Sequence, residues 1–117
     1  MPRLGELEQA VMEALWASER PLAARDIGGR VGDRHAVTTL LTVLSRLEAK
    51  GLVSRERDGR AHTYQPIGSR EDHIAALLRE ALGTSGDTGA ALARFVSQAS
   101  PAETSALRRA LQRLGES

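Results

Sequence analysis

The chain has 117 residues, which is room for one compact domain or a small domain with a helical extension, but not for a large enzyme cleft as well. It is 41% hydrophobic and 26% charged, a balance that excludes disorder, and it contains no cysteine, which excludes disulfides, thiolate metal sites and a cysteine nucleophile. The net charge is only +1, yet residues 18–70 hold ten Lys and Arg against six acids, while the rest of the chain holds six against nine. A basic middle between acidic ends fits a module that binds a polyanion and carries a separate interaction element.

Trp16, Tyr64 and Phe95 are the whole aromatic set, so the core must be built from Leu, Val, Ile and Ala, a mixture suited to packed helices. No apolar run approaches the roughly 20 residues that cross a bilayer, so no membrane insertion is expected. Glu6, Glu8 and Glu13 interrupt the N-terminal apolar pattern, and export is not expected either. A cytoplasmic location is the expectation.

Gly5 to Ala17 reads as an amphipathic helix, with Leu4, Leu7, Val11, Ala14 and Leu15 at helical spacing. Pro21 punctuates the chain. Ala23 to Val31 reads as a weaker helix with Ile27 and Val31 inward; Gly28 and Gly29 each cost it about 1 kcal/mol relative to Ala, so tertiary packing must hold it. Gly32 and Asp33 mark a turn. Ala36 to Lys50 is the strongest helix, without Gly or Pro until Gly51 at the expected stop position. Leu40, Val43, Leu44 and Leu47 form its buried stripe; Thr38, Thr39, Thr42 and Arg46 lie on the other side.

Leu52 to Glu56, Asp58-Gly59 and Arg60 to Gln65 then read as a β-hairpin turning at Asp58-Gly59, closed by Pro66. Its strands are rich in Arg and poor in apolar residues, so most of it should project into solvent. Ser69 to Asp72 resembles a capping box opening a helix with Ile74, Leu77, Leu78, Ala81 and Leu82. A joint from Gly83 to Gly89 leads to a helix over Gly89 to Ala99. Ser100-Pro101-Ala102-Glu103 is a full capping box for a last helix carrying Leu107, Leu111 and Leu114. The expected fold is therefore mainly α with a small β-wing: a winged helix-turn-helix over residues 1–68 and a helical dimerisation region over 69–117.

Helix, helix, longer helix, hairpin is the element order of a winged helix, whose second helix-turn-helix helix enters the DNA major groove. Threonine suits such a face. Its hydroxyl donates or accepts, and its methyl can touch a thymine methyl. The expected DNA contacts are Arg34, Val37, Thr38, Thr39, Thr42 and Arg46 in and just before that helix, with Arg57, Arg60 and His62 on the wing. Arg46 suits a phosphate, or guanine O6 and N7, and the wing residues suit backbone or minor groove. The structural alternatives are a polar helix face without function and an edge hairpin kept soluble by its charge.

The stretch TTLLTVLSRLEAKGLVSRERDGRAHTYQP (Thr38 to Pro66) resembles the penicillinase-repressor family of winged-helix regulators, the BlaI/MecI group. LGELEQAVMEALW (Leu4 to Trp16) resembles that family's first helix, tryptophan included. The resemblance implies a homodimer that represses genes from an inverted-repeat operator on double-stranded DNA until a signal removes it. Val37 departs from the larger or polar residue often found beside the threonine pair. The absence of cysteine excludes the copper-sensing mode of some relatives. In antibiotic-responsive relatives a membrane metalloprotease sensor cuts before a phenylalanine; Arg94-Phe95 stands where they have Asn-Phe, although Phe95 reads more readily as a core residue.

Ile74, Leu77, Leu78, Leu92, Val96, Leu107, Leu111 and Leu114 present more apolar face than one winged helix covers, and a second copy is the expected partner. No catalysis and no cofactor or metal is expected. His35, His62 and His73 lack metal-helix spacing and read as surface polar or phosphate-contacting groups. There is no phosphate-binding loop, and Ser97, Ser100 and Ser105 have no base partner in prospect. Two alternatives of other kinds stay open: a winged-helix protein-interaction module and a non-specific DNA binder.

Overall fold

The computed structural model describes residues 4–32 and 35–115. In chain order they form α1 (Glu6–Ala17), β1 (Leu22–Ala23), α2 (Ala24–Val31), α3 (Val37–Ala49), β2 (Val53–Asp58), β3 (Ala61–Pro66), α4 (Arg70–Gly83), α5 (Thr88–Ser97) and α6 (Pro101–Gly115). The expected mainly helical chain with a β-wing is what is observed. Arg34 and the Asp33 half of the expected turn lie outside the described residues. Among the described residues no helix is long and apolar enough to cross a membrane.

The chain divides into two units between Leu77 and Leu78, inside α4. In the first unit, Val11, Met12 and Leu15 of α1, Ile27 of α2, and Leu40, Val43, Leu44 and Leu47 of α3 enclose one core with Leu22, Leu52, Val53 and Tyr64. Met12 belongs to it although the sequence reading did not name it; Leu4, Leu7 and Val31 pack at its margin. Gly28 is buried where α2 meets α3, and a Cβ there would stand 3.0 Å from Leu40 Cδ1. The glycine that weakens α2 in isolation is thus what lets the two helices approach.

The sheet has three strands in the order β1-β3-β2, both pairings antiparallel. The sequence reading missed β1, where Leu22 pairs with Tyr64 and Ala23 with Thr63. It also set the hairpin turn one residue early. Asp58 pairs with Ala61, so the two-residue loop is Gly59-Arg60. Such a loop needs positive φ at its first position, and Gly59 supplies it at +67°.

The start of α4 is fastened to the first unit. Ser69 and Asp72 cap it reciprocally: the Ser69 amide and hydroxyl donate to Asp72 Oδ2 (2.8 and 3.0 Å), and the Asp72 amide donates to Ser69 Oγ (3.1 Å). Arg70 pairs with Glu13, and its guanidinium lies 5.6 Å from the Trp16 ring centroid. His73, expected at the surface, is instead buried at 7% exposure, with its ring centroid 5.5 Å from that of Trp16. Tertiary packing of α4 on α1 overrides the ordinary preference of histidine for the surface.

At the other end of α1, Gly5 N–H donates to Glu8 Oε1 at 3.1 Å, and Lys50 Nζ donates to Glu8 Oε2 at 2.9 Å. The Lys50 bond, followed by the Gly5 amide, holds the Glu8 carboxyl below its ordinary value of 4.5. The folded state therefore binds this proton less readily than the unfolded chain does. The stability Glu8 contributes is complete above pH 4.5 and is lost as pH falls through the lower folded value. Denaturant unfolding at a series of pH values should show a shallower acid-side decline in Glu8→Gln than in the wild type; identical declines would mean the pair contributes nothing.

In the second unit, Asp87 caps α5 by accepting from Ala90 N–H at 3.1 Å, and Ser100 and Glu103 form the expected capping box at α6 (2.8 and 3.1 Å) with Pro101 as first helical residue. Neither α5 nor α6 has a buried side chain among the described residues.

Candidate nucleic-acid interface

Helix α3 divides cleanly by exposure. Leu40, Val43, Leu44 and Leu47 are sealed in the core, while Thr38, Thr39, Thr42 and Arg46 are exposed on the far side as expected. Thr38 and Thr42 are one turn apart, as are Thr42 and Arg46, so they form a single ridge. Ser45, three residues beyond Thr42 and also exposed, extends it. The sequence reading passed over Ser45, although its spacing from Thr38 and Thr42 marks it.

Thr42 Oγ1 donates to the Thr38 carbonyl at 3.0 Å. Its hydroxyl proton is engaged within the helix, and what faces outward is an acceptor and a methyl group. Outside the core stripe, α3 also exposes two large aliphatic side chains, Val37 at 47% and Leu41 at 41%. Val37 was expected on the contact face; Leu41 was assigned to neither face.

The wing separates its charges by strand alternation. Cross-strand partners share a face, which puts Arg55 and Arg57 with Tyr64 and His62, and Glu56 and Asp58 with Thr63 and Ala61. The basic face borders α3, since Arg55 Nε lies 3.8 Å from Glu48 of that helix. Arg57 Nε donates to the Gly59 carbonyl at 3.1 Å and so lies along the turn, while Arg60 projects from it. His62 is half-buried, and its Nδ1 is buried without a hydrogen-bond partner among the described residues. The threonine ridge, Arg46, the wing arginines and His62 thus lie on adjoining surfaces of one unit, with a groove between α3, the start of α2 and β3 lined by Arg25, Asp26, Val37, Leu41, Ala61 and His62. The arrangement offers hydroxyls, methyls and guanidinium groups on a ridge and a projecting hairpin.

Comparison with known proteins agrees with this geometry. Among solved structures, the chain is similar to the PcaV transcriptional regulator of Streptomyces coelicolor (25% identity, TM-score 0.52, covering 97% of this chain and 76% of that one). It also shares the fold of Staphylococcus aureus MepR in its DNA complex (19% identity, TM-score 0.54, covering 80% and 79%). The transcriptional regulator BlaI of Mycobacterium tuberculosis is 43% identical over 119 residues, covering 97% of this chain and 86% of the relative. Residues 4–113 match the penicillinase repressor family, and the chain belongs to that family of transcriptional regulators.

Proposed function

We propose that this repressor reads an inverted-repeat operator as a homodimer, with the exposed ridge of α3 in the major groove and the wing on the flanking backbone. The observation that carries the reading is the side-by-side placement of the Thr38–Thr42–Arg46 ridge and the basic face of the wing. Hydroxyls and methyls on a helix ridge match base edges, and guanidinium groups on a projecting hairpin match phosphates. The relative MepR has been solved bound to DNA, in the same fold.

The partner copy is inferred from what the C-terminal helices leave uncovered. Ile74, Leu78, Leu92, Phe95, Val96, Leu111 and Leu114 are 44–73% exposed, and Leu77 and Leu107 are half-buried. Scattered apolar exposure is ordinary, but three consecutive helices with such faces need a cover. Region 69–117 is the proposed dimerisation element, and 1–68 the DNA-binding one. Arg94-Phe95 lies inside α5. A cut there by a membrane metalloprotease sensor would sever α6 from α5 and divide the dimer face, which is how proteolysis would release the operator. No catalytic step is assigned to the chain.

The electrostatic part is tested by salt. The observed binding constant should fall with salt on a log–log plot with a slope of about −0.9 per phosphate neutralised. Arg60→Ala should weaken all duplexes about equally and reduce that slope by about 0.9. Binding that is insensitive to salt would instead favour a protein-docking surface.

A further inference from the structure

Leu41 and Val37 stand one turn apart on α3, beside the threonine ridge, at 41% and 47% exposure. The core stripe of α3 (Leu40, Val43, Leu44 and Leu47) is no more than 6% exposed, so Val37 and Leu41 are the large aliphatic side chains that the helix turns away from the core. They line the groove closed on its other sides by Ala61 and His62 of β3 and by the start of α2. The groove is lined by Arg25 and Asp26, and the adjoining wing face carries Arg55, which pairs with Glu48, and Arg57; three cationic side chains stand against two acids, and the surroundings suit a polyanion.

An aliphatic side chain offers no donor or acceptor, and the major groove offers it one matching feature, the C5-methyl group of thymine. Ala61 also lines the groove and adds a small apolar surface to it. The geometry points to Leu41 as a specificity-determining residue that, together with Val37, packs against a thymine methyl in each operator half-site. This rests on the operator-reading proposal above. It adds what that proposal lacks: a base position read by apolar contact alone, next to positions read by the threonine hydroxyls.

The test uses the full chain and a duplex recovered by selection from a random pool, resynthesised with deoxyuridine replacing thymine at one position at a time. Each replacement removes one methyl and nothing else. For the wild type, one thymine per half-site should be sensitive, with binding weakened roughly fourfold, the value of one buried methyl-sized group. Leu41→Ala removes an exposed side chain and leaves the core intact; it should lose most of the difference between the thymine and deoxyuridine duplexes, with Val37 holding the remainder. The inference is overturned if no thymine is sensitive, or if Leu41→Ala keeps the full sensitivity, which would assign the methyl to the threonines. If the pool yields no preferred sequence, the operator-reading proposal itself fails and this inference with it.

Discussion

Leu44→Ala should destabilise the protein by about 2–5 kcal/mol, seen as a lower denaturant midpoint with an unchanged slope. Leu44 is fully buried in α3, enclosed with Leu40 and Leu47 by α1, α2 and the sheet. Truncating it leaves a cavity at the centre of the first unit, and surrounding helices held by close contacts such as Gly28 against Leu40 have little freedom to collapse into it. A small domain has roughly 5–15 kcal/mol of stability in total, so such a loss removes a large fraction of the margin that keeps it folded. Operator binding should fall with the folded fraction and recover at lower temperature, without a change in sequence preference. Leu41→Ala, three residues earlier, should leave the midpoint nearly unchanged. A stable Leu44→Ala protein would show that α3 is not anchored as the structure places it.

The second large effect belongs to the ridge. Thr39→Ala and Thr42→Ala should each reduce discrimination between the preferred duplex and a mismatched one by about 1–3 kcal/mol, with the fold intact because both side chains are exposed. The two should fail differently. The Thr42 hydroxyl proton is committed to the Thr38 carbonyl, so Thr42 can only accept from a base. It therefore suits an adenine N6 or cytosine N4 amino group. No such bond holds Thr39, which can donate or accept. Measured against all four base pairs at each position, Thr42→Ala should lose preference for an amino-bearing base in particular. Discrimination unchanged in both variants would place the reading face elsewhere on the unit.

Much of this was readable from residue order because the strong signals are local. The periodicity of Leu40, Val43, Leu44 and Leu47, the stop at Gly51 and the capping box at Ser100–Glu103 each depend on residues within a few positions, and each appears in the structure. What escaped depends on distant partners. β1 is two residues long and is a strand only because β3 lies beside it. His73 is buried where Trp16 of α1, distant in sequence, lies against it. The hairpin turn moved by one residue because pairing of Asp58 with Ala61 decides which glycine neighbour completes the loop. Leu41 was invisible as a surface residue because in an apolar helix pattern a leucine beside a core leucine gives no sign of which way it faces. The division of the wing into basic and acidic faces likewise needs the register, since Arg-Glu-Arg-Asp alternates in sequence but separates in space.

We infer that two copies of α3, held by the C-terminal helices, read an inverted repeat. Selection of bound sequences from a random duplex pool at physiological salt tests it most directly. An enriched inverted repeat is expected, with half-sites spaced by about one helical turn, roughly 34–36 Å, or a multiple of it. Salt-sensitive binding with no enriched sequence would contradict it, and would leave a basic winged helix that holds the DNA backbone without reading it.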